Sequence, residues 1–247
     1  MTIDGVPASA LAARWGVPQC GVFRQLPSAL DAIHEIAAQG APPGSVVIAE
    51  EQTAGRGRDG RTWRSPAGGA WVAMLFRPPA LEAGAIAIRA GLAVAEAADR
   101  VLGRSLAAVK WPNDVLLGNQ KVAGVLCEAR WQGDRPQWVA VGVGVNVVNE
   151  VPAELADRAT ALKEFAPAVT RLALLDRLIP ALAALAAAAP RLSDAECQAF
   201  GRKDWLKGRQ IVSPIAGRAQ GIAPDGALLV DSGAGTTRVR EGHVALA

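Results

Sequence analysis

The spacing of apolar positions divides the chain into a long mixed part and a short part built only of strand-length runs. From Val22 the pattern predicts a strand, then a helix over "ALDAIHEIAAQG", stopped by Gly40 and the prolines after it. "SVVIAE" reads as a short buried strand, and "GGAWVAMLFRP" as another, ended by Pro78 and Pro79. Glu82 to Leu102 is an alanine-rich helical run. "AAVKWPNDVLLGNQKVAGVLCEARW" predicts a strand, a tight hairpin at Gly118-Asn119-Gln120 and a second strand. "QWVAVGVGVNV" is one more strand, and helices are expected from about Thr170 to Ala189 and from Ser193 to Lys203. The first twenty residues carry little pattern. They are too few for a helix-turn-helix module, so no DNA partner is expected.

After Trp205 the runs are strand-length and punctuated by Gly217, Asp225-Gly226 and Gly233, with Asp-Gly as a hairpin signal. The predicted class is therefore α+β. A mixed β-sheet flanked by helices occupies residues 1–204, and a small β-barrel-like domain occupies 205–247. A unit of that size holds little core alone and is expected to lean on the larger one.

Side chains alternate faces along a strand, so Trp138 to Val147 has two unlike faces. Val139, Val141, Val143, Val145 and Val147 form one. Ala140, Gly142, Gly144 and Asn146 form the other, which is nearly bare. Interior strand glycines mark close approach by a ligand or by another part of the chain, and the pattern alone leaves both open. In "VKWPNDVLLGNQKVAG", Pro112 ends a strand and Asn113-Asp114 form a polar turn. Lys121 opens the next strand with Gly124 three residues on, placed to hold a carboxylate or phosphate as a point charge.

Composition narrows the classes. Of 247 residues, 51% are apolar, which is ample core and excludes whole-chain disorder. The longest helical apolar run, Leu178 to Ala189, is broken by Pro180 and too short to span a bilayer. No signal peptide is visible, and a cytoplasmic location without a membrane partner is expected. Three cysteines, Cys20, Cys127 and Cys197, are far apart, which argues against a disulfide framework or a structural zinc site. His34 and His243 read as surface residues, leaving little for histidine catalysis, and no metal ligands are assigned. The net charge of +3 is too mild to argue for nucleic acid by itself.

"EEQTAGRGRDGRTWRSP" packs Arg56, Arg58, Arg61 and Arg64 between Gly55, Gly57 and Gly60. Glycine-rich turns make anion-binding nests, and guanidinium groups give bidentate contacts to carboxylate or phosphate. Trp63 offers a flat face for stacking. Its position between two core strands makes the segment an ordered loop over a ligand rather than an RNA-binding tail.

Together, "EEQTAGRGRDGRTWRSP", "KWPNDVLLGNQKVAGVLCE" and "VGVGVNV" resemble the biotin protein ligase family, of the monofunctional type without an N-terminal DNA-binding domain. "GRQIVSPIAGRAQGIAPDGALLVD" resembles its small C-terminal SH3-like barrel. The resemblance implies ligation of biotin to one lysine of a biotin carboxyl carrier protein domain through biotinyl-5′-AMP. MgATP is consumed and no prosthetic group is tightly bound. It implies Lys121 and Arg58 as catalytic groups. Ser28, Gln52, Gly55, Arg56, Gly57, Arg58, Lys121, Gly124, Gly142 and Gly144 are implied as the biotin site. Arg56, Arg58, Arg61, Trp63, Asn113, Lys121 and Asn146 are implied at the nucleotide. Some family members are homodimers, and the sequence leaves that open here. Where the family has an Asp-Ser-Thr-Asn type stretch, this chain has Pro27-Ser28-Ala29-Leu30. Losing one or two hydrogen bonds, each worth about 1 kcal/mol net, implies weaker biotin binding or a different acyl substrate. The alternatives are a lipoate or octanoate ligase on the same fold, or a non-catalytic biotin- or nucleotide-binding relative.

Overall fold

A computed structural model describes residues 1–77 and 83–247, so Pro78, Pro79 and Glu82 lie outside the described residues. The first twenty residues, expected to be featureless, form an element of their own. Strands β1 (Thr2–Ile3) and β2 (Val6–Pro7) pair as a hairpin, and helix α1 (Ala8–Trp15) follows, closed by Gly16 in the left-handed region. Leu11 and Trp15, four apart on one helix face, bury against the main core.

The large sheet has seven strands in the order β3-β4-β5-β9-β8-β7-β6. These are β3 (Cys20–Leu26), β4 (Val46–Gln52), β5 (Ala70–Phe76), β6 (Ala107–Lys110), β7 (Asp114–Leu117), β8 (Gln120–Gln132) and β9 (Arg135–Val145). Among the described residues, only β3 and β4 run parallel, so the sheet is mixed. The stretch from Ala107 to Leu117 is two antiparallel strands reversed at Trp111-Pro112-Asn113, where the sequence places the end of a strand and a polar turn.

Helices cover both faces. On one lies α3 (Ala83–Leu102), backed by α4 (Arg171–Ala183), and the odd-numbered valines of β9 pack into this main core. Helix α4 runs through Pro180, which had read as a break. On the other face lies α2 (Ala29–Ala38), capped by the Ser28 hydroxyl, which accepts from the Leu30 amide. Leu30, Ile33 and Ala37 pack on Val47, Ala73, Leu75 and Ala140. Helix α2 covers only part of that face, and the remainder, floored by Gly124, Gly142 and Gly144, forms the bottom of a cleft.

Helix α5 (Asp194–Lys203) opens with a capping box, Ser193 with Glu196. Beyond it, a five-stranded antiparallel sheet has the order β13-β12-β11-β10-β14, from β10 (Gln210–Ser213), β11 (Gly217–Ile222), β12 (Leu228–Asp231), β13 (Thr236–Val239) and β14 (Ala245–Leu246). The Asp225-Gly226 turn joins β11 to β12, as its sequence predicts. This sheet leans on the larger unit: the Trp111 indole N–H donates to the Gly226 carbonyl (2.8 Å), and Ile211, Ala219, Leu228 and Val230 join the main core. A side chain at Gly84 would come within 2.6 Å of the Asp225 carbonyl, so a glycine there admits the small sheet to the N-terminal turn of α3. Among the described residues, no helix is long and apolar enough to cross a membrane.

Candidate active site

The cleft opens on the α2 face of the large sheet and holds about 300 Å3. Its lid is the arginine–glycine segment. The Trp63 amide donates to the Gly55 carbonyl (2.8 Å), the Gly57 amide to the Arg61 carbonyl (2.7 Å) and the Gln52 amide to the Ser65 carbonyl (3.0 Å). The segment is thus a two-stranded flap with its tip at Arg58–Gly60, where Asp59 and Gly60 take positive φ. The flap is stitched to the α2 entrance by Gln52, whose side-chain carbonyl accepts from the Ala29 amide (2.8 Å) and whose amide donates to Ser65 (2.7 Å).

Lys121 lies at the centre. Its amine is 2.6 Å from an Asp114 oxygen and 4.9 Å from the centroid of the Trp63 ring. Simple alternation would put Lys121 and Gly124, three apart, on opposite faces of β8. A bulge resolves this: the β7–β8 register shifts between Val115 and Leu116, and Val122 and Ala123 both turn into the core. The extra residue brings Lys121 round to the glycine face. A chain segment from Asn146 to Thr160 fastens it there, through the Lys121 amide to the Arg158 carbonyl and the Thr160 amide to the Lys121 carbonyl.

The glycines serve different neighbours. Gly124 and Gly144 are partners across β8 and β9, and the Trp63 ring lies on both. A side chain at Gly144 would sit 2.6 Å from the Trp63 indole nitrogen. Among the described residues, that buried N–H has no hydrogen-bond partner. Gly142 instead makes room for Leu30 of α2, whose tip would lie 2.8 Å from a side chain there. Helix packing therefore accounts for Gly142, and room for a ring on the sheet accounts for Gly124 and Gly144.

Ser28, Gln52, Arg56, Gly57, Arg58, Arg61, Trp63, Asn113, Lys121, Gly124, Gly142, Gly144 and Asn146 all line the cleft. Gly55 does not: it packs within the flap, where a side chain would strike the Trp63 carbonyl and the Ser65 hydroxyl. Two polar residues are also structural ties. The Asn113 amide donates to the Val125 carbonyl (2.8 Å). The buried Asn146 amide donates to the Thr160 carbonyl and accepts from Asn149 (3.0 and 3.1 Å). Arg56 faces Asp31 and Glu128 at 2.8 and 3.0 Å, so its guanidinium is held by carboxylates.

Of the two histidine readings, one changes. His34 is buried rather than on the surface, between Trp138 and Glu128. His243, though exposed, reaches the rim of the cleft from the small sheet, where burial, Arg61 and Lys110 hold its imidazole below its usual value. The segment from Asn149 to Ala159 also lines the cleft, and no periodicity announces it. Lys110 lies 5.3 Å from the Trp205 ring, its amine pushed down chiefly by burial.

Among the described residues, seven arginines and lysines line the cleft (Arg56, Arg58, Arg61, Arg64, Lys110, Lys121 and Arg158), against three carboxylates, Asp59, Asp114 and Glu150. Such an excess suits an anionic ligand. No cysteine lines it. Burial pushes the Cys20 thiol up to about 11 and, with help from Glu128, the Cys127 thiol up to about 12. Among the described residues, no three His, Cys, Asp or Glu side chains gather as a dedicated metal site.

A family model described as "Biotin/lipoate A/B protein ligase family" matches residues 22–146, which include the flap, the Lys121 hairpin and the glycine strand. The bifunctional ligase/repressor BirA of Bacillus subtilis is 30% identical over 232 residues, covering 86% of this chain and 69% of that protein. The biotin–[acetyl-CoA-carboxylase] ligase of Paracoccus denitrificans is 47% identical over 104 residues, 41% of this chain and 43% of that one. The solved biotin protein ligase from Aquifex aeolicus in complex with biotin and ATP superposes with a TM-score of 0.75 at 26% identity, covering 93% of this chain and 99% of that one. By sequence and by fold, the chain belongs to the biotin/lipoate A/B protein ligase family.

Proposed function

We propose that the protein is a cytoplasmic biotin protein ligase: it joins biotin to one lysine of a carboxyl carrier protein, through biotinyl-5′-AMP made from biotin and MgATP. One observation carries the reading. A bulge in β8 turns Lys121 into a cleft floored by glycine, beside a flap that brings Arg58 and Arg61 to the same space. Two anions, a carboxylate and a triphosphate, must meet there. Fixed cations in a partly enclosed site offset their repulsion and stabilise charge that builds at the α-phosphate. The carboxylate oxygen attacks the α-phosphorus and pyrophosphate leaves. The carrier lysine, as its free amine, then attacks the acyl carbon, AMP leaves and the amine proton is lost to solvent. Neither step needs a nucleophile from this chain, in keeping with a cleft without cysteine.

Magnesium enters with ATP. It keeps several waters and takes one or two carboxylates besides phosphates, and Asp114 and Asp59 are the aspartates lining the cleft. The ring end of the acyl site falls at Ser28 and Leu30. There the Ser28 hydroxyl accepts from the Leu30 amide and keeps its proton to donate, while Ala29 and Leu30 stand where the family pattern has polar side chains, so the ring meets more apolar surface than that pattern implies. We assign residues 1–204 to the catalytic domain and 205–247 to an SH3-like barrel that supplies His243 to the rim.

Incubation with MgATP, biotin and an apo carrier domain tests the proposal. Intact-mass analysis is expected to show one biotinyl group on the carrier. Labelling with lipoate and none with biotin would move the chain to the lipoyl branch of the family.

A further inference from the structure

We propose that Asp31, Glu128 and His34 form a receptor for the Arg56 side chain, and that this receptor, rather than a ligand anion, is what Arg56 engages to hold the flap down. Arg56 is a flap residue, bridged through its backbone to Thr62. One guanidinium nitrogen lies 2.8 Å from an Asp31 oxygen on α2, and the other 3.0 Å from a Glu128 oxygen on β8. The flap is thereby strapped to both elements beside the glycine floor. Exposed ion pairs of this kind contribute little by themselves, and Arg56 and Asp31 are about 40% exposed. Glu128 differs because a buried group orients it.

That group is His34, whose side chain is 9% exposed. The Trp138 indole N–H has only a proton to give, and it donates to His34 Nδ1 at 2.9 Å. Nδ1 is therefore the acceptor, and the ring proton sits on Nε2, 3.0 Å from the same Glu128 oxygen that Arg56 contacts. Trp138 is in turn covered by the Arg77 guanidinium, 5.5 Å from its ring. The chain Arg77, Trp138, His34, Glu128, Arg56 runs from the sheet to the flap with each donor matched to an acceptor or a ring. His34, first among its partners, also holds the Glu128 carboxyl below its usual range. His34, Glu128, Asp31 and Trp138 do not line the cleft, so their effect reaches it through Arg56.

Flap opening can be followed independently of any ligase activity. The flap offers trypsin Arg58, Arg61 and Arg64 in the ligand-free protein. Glu128→Gln and Arg56→Gln are each expected to speed cleavage there by roughly three- to tenfold, as loss of a shared charge-assisted contact does. The double variant is expected to match Arg56→Gln alone, because Glu128 acts on the flap only through Arg56, whereas Glu128→Gln by itself leaves the Asp31 contact. Arg56 is on the flap surface, so its variant keeps the fold, and circular dichroism checks this for both. With biotin and MgATP, Glu128→Gln, whose side chain lies outside the cleft, is also expected to raise the KM for biotin and release the adenylate faster while the single-turnover rate stays near wild type. Wild-type cleavage rates in both single variants, or additive effects in the double, would overturn the strap. Faster cleavage in a protein inert to biotin would uphold the strap and count against the ligase assignment.

Discussion

Replacing Lys121 by Ala or by Met separates its charge from its packing. The amine is 2.6 Å from Asp114 and 4.9 Å from the Trp63 ring, and the two charged side chains are 31% and 26% exposed. Such a half-exposed pair stabilises the fold by about 1 kcal/mol or less, so the melting temperature should fall by only a few degrees. The reaction is more sensitive. A unit charge about 4 Å from a developing negative charge, at an effective dielectric constant near 20, is worth about 4 kcal/mol. Solvent access lowers that, and loss of one fixed donor at a charge-developing atom typically costs about 2.7–4 kcal/mol, or about 100- to 1000-fold in rate. Rapid-quench single-turnover assays of acyl-adenylate formation, with biotin and MgATP saturating, measure this. Both variants should be slow to a similar degree, since Met keeps the stem and loses only the charge. A rate within threefold of wild type in Lys121→Met would refute the electrostatic role, and a large fall in melting temperature would show that the residue is structural.

Gly144→Ala places a methyl 2.6 Å from the Trp63 indole nitrogen and lifts the ring off the sheet, so titration calorimetry should show biotin binding weakened by about tenfold or more. Gly142→Ala meets the Leu30 side chain of α2 rather than the Trp63 ring and should weaken biotin binding less. Glu196 is held down to about 2, first by its hydrogen bonds from buried Arg89. Because its folded value lies below the usual 4.5, its stabilisation is full above that value and is lost as pH falls toward 2. The melting-temperature gap between wild type and Glu196→Gln should therefore close over that interval, and a gap constant from pH 6 to pH 2 would contradict the assignment. Cys20 and Cys127, with thiols raised to about 11 and 12, should alkylate with iodoacetamide at pH 8 far more slowly than free cysteine, as peptide mapping will show.

The strands and long helices were legible because their apolar period is read locally. The bare face of β9 and the arginine–glycine flap likewise announced the cleft. What escaped depends on distant parts of the chain. The use of Gly142 is set by Leu30, more than a hundred residues away in sequence but packed against it. The facing of Lys121 follows from a bulge that alternation contradicts. His34 read as a surface residue because its partners, Glu128 and Trp138, come from two other strands. The N-terminal helix has eight residues and only two buried side chains, too few to mark a period. The cleft wall from Asn149 to Ala159 is irregular backbone fastened by the Asn146 amide, which has no local pattern to detect.

Everything proposed for this cleft depends on its activating biotin as an adenylate. Isotope exchange between labelled pyrophosphate and ATP reports that step without any carrier protein. Exchange is expected to require biotin, to be unsupported by lipoate, and to fall by at least about 100-fold in Lys121→Met. Exchange supported by lipoate alone, or no exchange with either acid, would contradict it.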